Sequence, residues 1–321
     1  MKTILGTGQL GLAIMEILLQ ENPQEQIMLV NRSGKLDLNP PENVQLTAAD
    51  VTDKDALEAI ARQSEVIFSC TDVPYPLWAD FYPATAAALA HALRQTDARL
   101  VFADNLYSYG NVKGAVMHEE LPHKAQTVKG SIRAAVLHTL LYSDMSTLFY
   151  SDKKISRRVA VVKAADFIGP RIHKGIFGVE FLEKLQQGKT VLLFGKPRLP
   201  HTFTYIRDFA AAMIRVGNAR DAFGQIWHVP NAPAINLMQW LQLFELETGK
   251  KAKLIVLPRF VVRLSGMFDP LVKELYELAY QFEFPYLVNA EKYSRRFGPH
   301  FTPPETIVKE TIQWFQSTPQ Q

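Results

Sequence analysis

The chain has a single cysteine, Cys70, among 321 residues, so no disulfide can form within it, and a reducing compartment suits it. It lacks an apolar run long enough to cross a bilayer, which excludes a membrane-spanning helix from the expected fold. Charge of one sign is scarce: the net charge is only +3, and no Lys/Arg run is long enough to follow a phosphate backbone. Nucleic acid is therefore not an expected partner. The eight histidines show no paired spacing of the zinc-site kind, so no metal is expected. No Gly-x-Ser-x-Gly elbow, internal repeat or low-complexity tract occurs. Met1-Lys2-Thr3 passes straight into Ile4-Leu5 and a pair of glycines, leaving no room for a signal peptide, and the expected location is cytoplasmic.

What remains is the composition of a soluble globular protein, 47% apolar and 21% charged. Short apolar runs at Thr3-Ile4-Leu5, Ile27–Val30, Val44–Leu46, Val66–Phe68, Leu100–Phe102 and Val159–Val162 alternate with helical spacing. Leu10, Ala13, Ile14, Ile17 and Leu18 form one apolar helix face, and Asp53 is placed to cap a helix reaching Arg62. A longer alanine-rich helix runs from about Leu77 to Arg94, with Pro83 expected to kink or restart it. Continuously apolar strands separated by helices indicate a parallel sheet covered on both faces. The expected fold is α/β, a doubly wound Rossmann-type parallel sheet with a smaller, mostly helical C-terminal substrate lobe.

The pattern loosens after Pro170. Helical segments near Gly178–Gln187, Arg207–Val216, Leu237–Thr248 and Pro258–Phe282 are joined by proline-bearing loops. Only Gln225–Val229 reads as a further strand. We therefore expect residues 1–170 to form the dinucleotide-binding domain and 171–321 the substrate lobe, interleaved with a last sheet strand around 225–229.

Gly6-Thr7-Gly8-Gln9-Leu10-Gly11 follows the first strand at once and opens an amphipathic helix. In that context Gly6 makes the tight turn, Gly8 admits a pyrophosphate, and Gly11 allows helix to pack closely on strand. Gln9 and Leu10 begin the helix whose N-terminus faces the phosphates. An NAD site usually carries an acidic residue about 20 positions further on. Asn31-Arg32-Ser33 stands there instead. Arg32 would pair with a 2′-phosphate while Asn31 and Ser33 supply neutral hydrogen bonds, so NADP is expected in preference to NAD. Cys70 and Thr71, ending the fourth strand, line the expected groove. Cys70 reads there as a small buried residue rather than a nucleophile.

With these residues the chain resembles an extended or atypical short-chain dehydrogenase/reductase, of the NAD-dependent epimerase/dehydratase group. Four further segments carry the resemblance. Asp50-Val51-Thr52-Asp53 is similar to the family's acidic motif, which implies that Asp50 and Val51 hold the adenine. Asp104-Asn105-Leu106-Tyr107-Ser108-Tyr109-Gly110 is similar to its serine-rich segment ending in Tyr-Gly. Asp166–Pro170 and Phe203–Ala210 look like two motifs of its C-terminal half. The resemblance also implies a small-molecule substrate and homodimer pairing through the helices after the fourth and fifth strands.

The family's catalytic set does not carry over whole. It uses a Ser or Thr to hold the substrate oxygen, a Tyr as acid/base, and a Lys four residues later that lowers the phenol pKa and binds the nicotinamide ribose. Counting along this chain, those positions fall on Asn105, Lys129 and Arg133. Arg133 can hold a ribose, but Lys129 replaces a phenol only if its pKa is depressed. Tyr107, on the loop where α/β ligands bind, is the alternative donor. A literal Tyr-x-x-x-Lys at Tyr150 and Lys154 is too far from Asn105 and reads as a surface loop. His201, Tyr205, Arg207, Arg171 and His173 are further candidates for an anionic or polyhydroxylated substrate. The expected function is an NAD(P)-binding oxidoreductase or epimerase/dehydratase-like enzyme acting on a small hydroxyl or carbonyl substrate. The alternative is a non-catalytic NADP-binding sensor.

Overall fold

The computed structural model describes residues 1–142, 155–257 and 276–318. Tyr150, Lys154 and most of the helical segment expected from Pro258 lie outside them. By contact density the chain divides into two compact units. One comprises residues 1–108, 123–164 and 209–227; the other comprises 109–122, 165–208 and 228–321.

A seven-stranded parallel sheet organises the first unit. Its strands are β1 (Lys2–Leu5), β2 (Ile27–Asn31), β3 (Val44–Ala48), β4 (Val66–Ser69), β5 (Arg99–Asn105), β6 (Val159–Ala164) and β11 (Gln225–His228). The spatial order is β11-β6-β5-β4-β1-β2-β3, so the order reverses beside β1. In such sheets ligands bind at the carboxyl ends of strands near that reversal. The apolar runs explain the arrangement. All four residues of β4 and all six of β6 are buried, as a sheet covered on both faces requires. One member of the β6 run is Lys163, a charge in an otherwise apolar strand.

The helices form for identifiable reasons. α1 (Gln9–Glu21) buries Leu10, Ala13, Ile14 and Leu18. α2 (Lys54–Ala61) is capped by Asp53, whose carboxylate accepts from the amides of Asp55 at 2.9 Å and Ala56 at 3.0 Å. Such a cap contributes about 1 kcal/mol. α3 (Trp78–Gln95) runs unbroken through Pro83 rather than restarting there. Pro83 and Ala79, whose carbonyl loses its helical donor, both face solvent, so water can satisfy the freed group. α4 (Val128–Leu137) is capped by Thr127, which accepts from the Gly130 amide at 3.1 Å.

The second unit mixes helices with short strands that the sequence pattern did not reveal. β7 (Asp166–Ile168) pairs with β10 (Phe203–Tyr205), β8 (Thr190–Phe194) with β13 (Lys253–Leu257), and β9 (Pro200–His201) with β12 (Ile235–Asn236). Its helices include α5 (Val179–Gln186), α7 (Leu237–Thr248), α8 (Glu291–Phe297) and α9 (Pro304–Ser317). α6 (Ile206–Asn218) runs from this unit into the first. Phe177, Phe181, Phe203, Trp240 and Phe244 pack ring on ring in the second unit's core. No described helix is long and apolar enough to cross a membrane.

Candidate active site

The β1–α1 turn has the shape a pyrophosphate needs. Gly6 adopts φ +99°, and a Cβ there would lie 3.0 Å from the Cys70 carbonyl oxygen. At Gly11 a Cβ would come within 2.0 Å of the Gly6 carbonyl oxygen, so any side chain would force α1 off β1. Gly8 is exposed and faces open space. It is also the N-cap of α1, with no side-chain cap and no acidic residue in the first turn. The helix therefore presents unpaired amides and its positive end to whatever occupies that space. The turn fits a dinucleotide on these grounds.

Beyond the turn, the predicted cofactor residues take distinct places. Asn31 is consumed by the loop: its amide donates to Thr7 Oγ1 at 3.0 Å and the Lys35 carbonyl at 2.8 Å. Its oxygen accepts from the Gly34 amide at 2.7 Å and the Ser33 hydroxyl at 3.1 Å. Arg32 projects into solvent, 67% exposed, with Nε 4.0 Å from Asp50. Asp50 accepts from the Thr52 amide and hydroxyl, and these bonds, with Arg32, hold its carboxyl below the usual range. Val51 is buried. The Cys70 carbonyl and Thr71 Cα wall the turn, and desolvation pushes the Cys70 thiol well above its ordinary pKa, which does not suit a nucleophile.

At the carboxyl end of β5, Asn105 caps its own turn, its oxygen accepting from the Tyr107 amide at 3.0 Å. The hydroxyls of Tyr107 and Tyr75 lie 3.4 Å apart. Tyr75 belongs to a single 3-10 turn, Tyr75–Leu77, between β4 and α3. Lys129 is buried, with its ammonium 5.0 Å from the centroid of the Tyr75 ring. Trp78 packs on both tyrosines. Tyr75 thus stands against both candidate proton donors. Gly130 makes this possible, since a Cβ there would lie 2.5 Å from the Tyr107 carbonyl oxygen and 2.4 Å from Ala125 Cβ.

Arg133 lies one helical turn on and is also buried. Its Nε donates to Asp104 Oδ1 at 2.6 Å, and Nη2 reaches the same oxygen at 2.5 Å and the Ala103 carbonyl at 3.2 Å. Its guanidinium is 4.2 Å from the Tyr82 ring centroid and also faces the rings of Trp78 and Phe102. Among the described residues, Nη1 is buried without a hydrogen-bond partner. A buried donor left open in this way is costly unless a ligand or water fills the position.

Asp104 gives its other oxygen to Lys163, 2.5 Å away and fully buried. The two are direct neighbours across β5 and β6. Lys163 also donates to the Asn105 carbonyl at 2.8 Å and to Ser108 Oγ at 2.9 Å. Ser108 in turn lies 3.0 Å from His123 Nδ1. Burial raises the Asp104 carboxyl, but Arg133 and Lys163 outweigh it and leave it below the ordinary range. Burial opposes the Arg133 charge, which Asp104 more than offsets. Burial and then Lys163 push His123 down to about 4, so its ring is neutral at pH 7.

Sequence reasoning missed Asp104, Lys163 and Tyr75. The available signal was charge where the strand pattern demands none, at the end of β5 and inside β6. In the second unit His201 is buried, 2.8 Å from Asp166 and stacked against Phe282 and Tyr286. The Tyr205 hydroxyl donates to Glu310. His228 Nδ1 donates to the Asn289 carbonyl, which leaves Nε2 to accept from Tyr109 at 2.8 Å. These contacts place His201, Tyr205 and Tyr109 in polar pairs within their own unit.

Residues 4–229 match the model of the NAD dependent epimerase/dehydratase family. No curated protein sequence matches the chain significantly. Among solved structures it is similar to dTDP-glucose 4,6-dehydratase from Bacillus anthracis in complex with NAD, at 17% identity and TM-score 0.77, over 98% of this chain and 96% of that one. It is also similar to Thermus thermophilus UDP-glucose 4-epimerase in complex with NAD, at 19% identity and TM-score 0.76, over 99% of both chains. A third similar structure is UDP-glucuronic acid 4-epimerase from Bacillus cereus in complex with NAD, at 13% identity and TM-score 0.75, over 98% and 96%.

Proposed function

The chain belongs to the NAD dependent epimerase/dehydratase family, and from that premise we propose that it is an NADP-dependent oxidoreductase or epimerase acting on a small polyhydroxylated substrate through an altered acid/base group. The observation that carries the reading is the buried Arg133 guanidinium, which stands at the family's lysine position with Nη1 unfilled. A ribose hydroxyl is an acceptor of the right chemistry for it. Gly6, Gly8 and Gly11 would hold the pyrophosphate, Asp50 and Val51 the adenine, and Arg32 the 2′-phosphate. When bound, the cofactor supplies or takes up a hydride.

This chain's own residues handle the rest. Asn105 has its oxygen tied to Tyr107, and its amide nitrogen donates to the substrate oxygen. Tyr107 gives up its hydroxyl proton as a carbonyl becomes a carbinol and recovers it in the reverse direction. The Lys129 ammonium, held against Tyr75, stabilises the phenolate left behind. The three similar structures named above contain NAD. The preference for NADP rests on Arg32, which is exposed and 4.0 Å from its nearest carboxylate, and so can turn to a phosphate.

Fluorescence titration with NADPH and NADH tests the cofactor assignment. NADPH is expected to bind more tightly, and Arg32→Asp to abolish that preference; equal affinities in the parent protein would sink it. Failure of both dinucleotides to bind would end the whole reading. With a panel of sugar-like hydroxyl and carbonyl compounds, a change at the nicotinamide absorbance that disappears in Tyr107→Phe is the expected sign of catalysis.

A further inference from the structure

Asp104 has two oxygens and divides them between two cations. Arg133 takes Oδ1 through Nε and Nη2, and Lys163 takes Oδ2. A guanidinium and a carboxylate left to themselves favour a two-pronged pair in which both oxygens are used. Lys163 prevents that here by occupying the second oxygen. Three rings hold the plane of the guanidinium, leaving it movement within that plane. Nη1 lies on the side of the guanidinium turned away from Asp104, and its direction follows from how the Nε–Nη2 edge sits on that carboxylate.

Burying an ammonium in the middle of the sheet is expensive, and an apolar residue in β6 would pack there without that cost. Lys163 therefore needs a reason beyond stability. It has two. By holding Oδ2 it fixes the Asp104 carboxylate on which Arg133 is aligned, and through the Asn105 carbonyl and the Ser108 hydroxyl it fixes both ends of the turn that carries Asn105 and Tyr107.

We propose that Lys163, acting through Asp104, is a positioning residue that aims Arg133 Nη1 toward the nicotinamide-side ribose and sets the Asn105–Ser108 turn. The proposal rests on the reading of the protein as a dinucleotide-binding enzyme. Its prediction is selective: losing Lys163 frees Asp104 Oδ2 for the Nε–Nη2 edge of Arg133, which swings Nη1 out of line and damages only the nicotinamide half of the site. The adenine half, built on the glycine turn, Arg32 and Asp50, is untouched.

The experiment compares the parent protein, Lys163→Met and Lys163→Arg for binding of NADPH and of adenosine 2′,5′-bisphosphate, which carries the adenine half alone. Lys163→Met is expected to weaken NADPH about tenfold, the scale of one charge-assisted hydrogen bond, and to lose the fluorescence enhancement of bound nicotinamide. It should bind the bisphosphate as the parent does, and Lys163→Arg should recover most of the NADPH affinity. Unchanged NADPH binding in folded Lys163→Met, equal weakening of both ligands, or no recovery in Lys163→Arg would overturn the proposal. Should Lys163→Met fail to fold, Ser108→Ala removes one partner of Lys163 and no charge. It is expected to weaken NADPH about twofold to threefold with the bisphosphate unaffected, and no change would overturn the proposal. A parent protein that binds the bisphosphate but not NADPH would instead overturn the functional reading on which it rests.

Discussion

The amino and carboxyl edges of the same sheet each carry an arginine set among backbone carbonyls, and the two are finished differently. At the amino edge Arg158, just before β6, gives Nη1 to the carbonyls of Thr96 and Ala98 and Nη2 to that of Leu93. It closes off the C-terminal end of α3, where unpaired carbonyls collect and a cation is favoured. Arg99 beside it is shared among Glu65, the Gly217 carbonyl and the Phe223 ring. At the carboxyl edge Arg133 is more deeply buried, yet it keeps a nitrogen with nothing to bond. Side-chain type does not separate the two arginines; completeness of their partners does.

That contrast can be broken most severely at Asp104. Replacing it with Leu leaves Arg133 and Lys163 buried without their shared carboxylate, and about 3–5 kcal/mol of stability should be lost, read by urea unfolding. Arg158→Ala should cost less, on the order of 2 kcal/mol, because carbonyls at the edge can regain water. It should leave NADPH affinity unchanged, and a tenfold loss of affinity in folded Arg158→Ala would erase the distinction between the edges. Gly130→Ala forces a methyl against the Tyr107 carbonyl and should cost about 1–3 kcal/mol while weakening the nicotinamide signal.

The smallest effect concerns pH. His123 has its pKa depressed from the ordinary 6.5 to about 4, so the unfolded chain takes up its proton first as pH falls. Stability from this site is complete above 6.5 and declines between 6.5 and about 4. Its partial exposure limits the loss to the order of 1 kcal/mol. His123→Gln should flatten that part of the profile in thermal melts recorded from pH 7 to 4.

The sheet was legible because its strands are continuous apolar runs, each followed by a turn or helix signal. The ladders of β7 to β10, β12 and β13 were not, since two to five residues cannot establish a period and their pairing is set by tertiary contacts. The same logic hid Lys163: within Val159–Ala164 the apolar neighbours fixed the strand, and only its partner across β5 gives the charge a meaning. Asn31 shows the converse. Its position beside Arg32 suggested a ligand contact, whereas its amide bonds to Thr7, Gly34 and Lys35, joining the loop to the glycine turn. Pairing across strands and the saturation of a side chain are three-dimensional facts that spacing does not encode.

Gly8 sets the cost of folding apart from the cost of binding. Its backbone, at φ −75° and ψ −171°, is one that any residue adopts, and nothing lies within 4 Å of where a Cβ would sit. The fold thus demands glycine at Gly6 and Gly11 but is indifferent to it at Gly8. A methyl there would occupy the space that the open amides of α1 face, so Gly8→Ala should melt like the parent and refuse the pyrophosphate. That outcome would mark the space beside Gly8 as one that serves binding and not the fold.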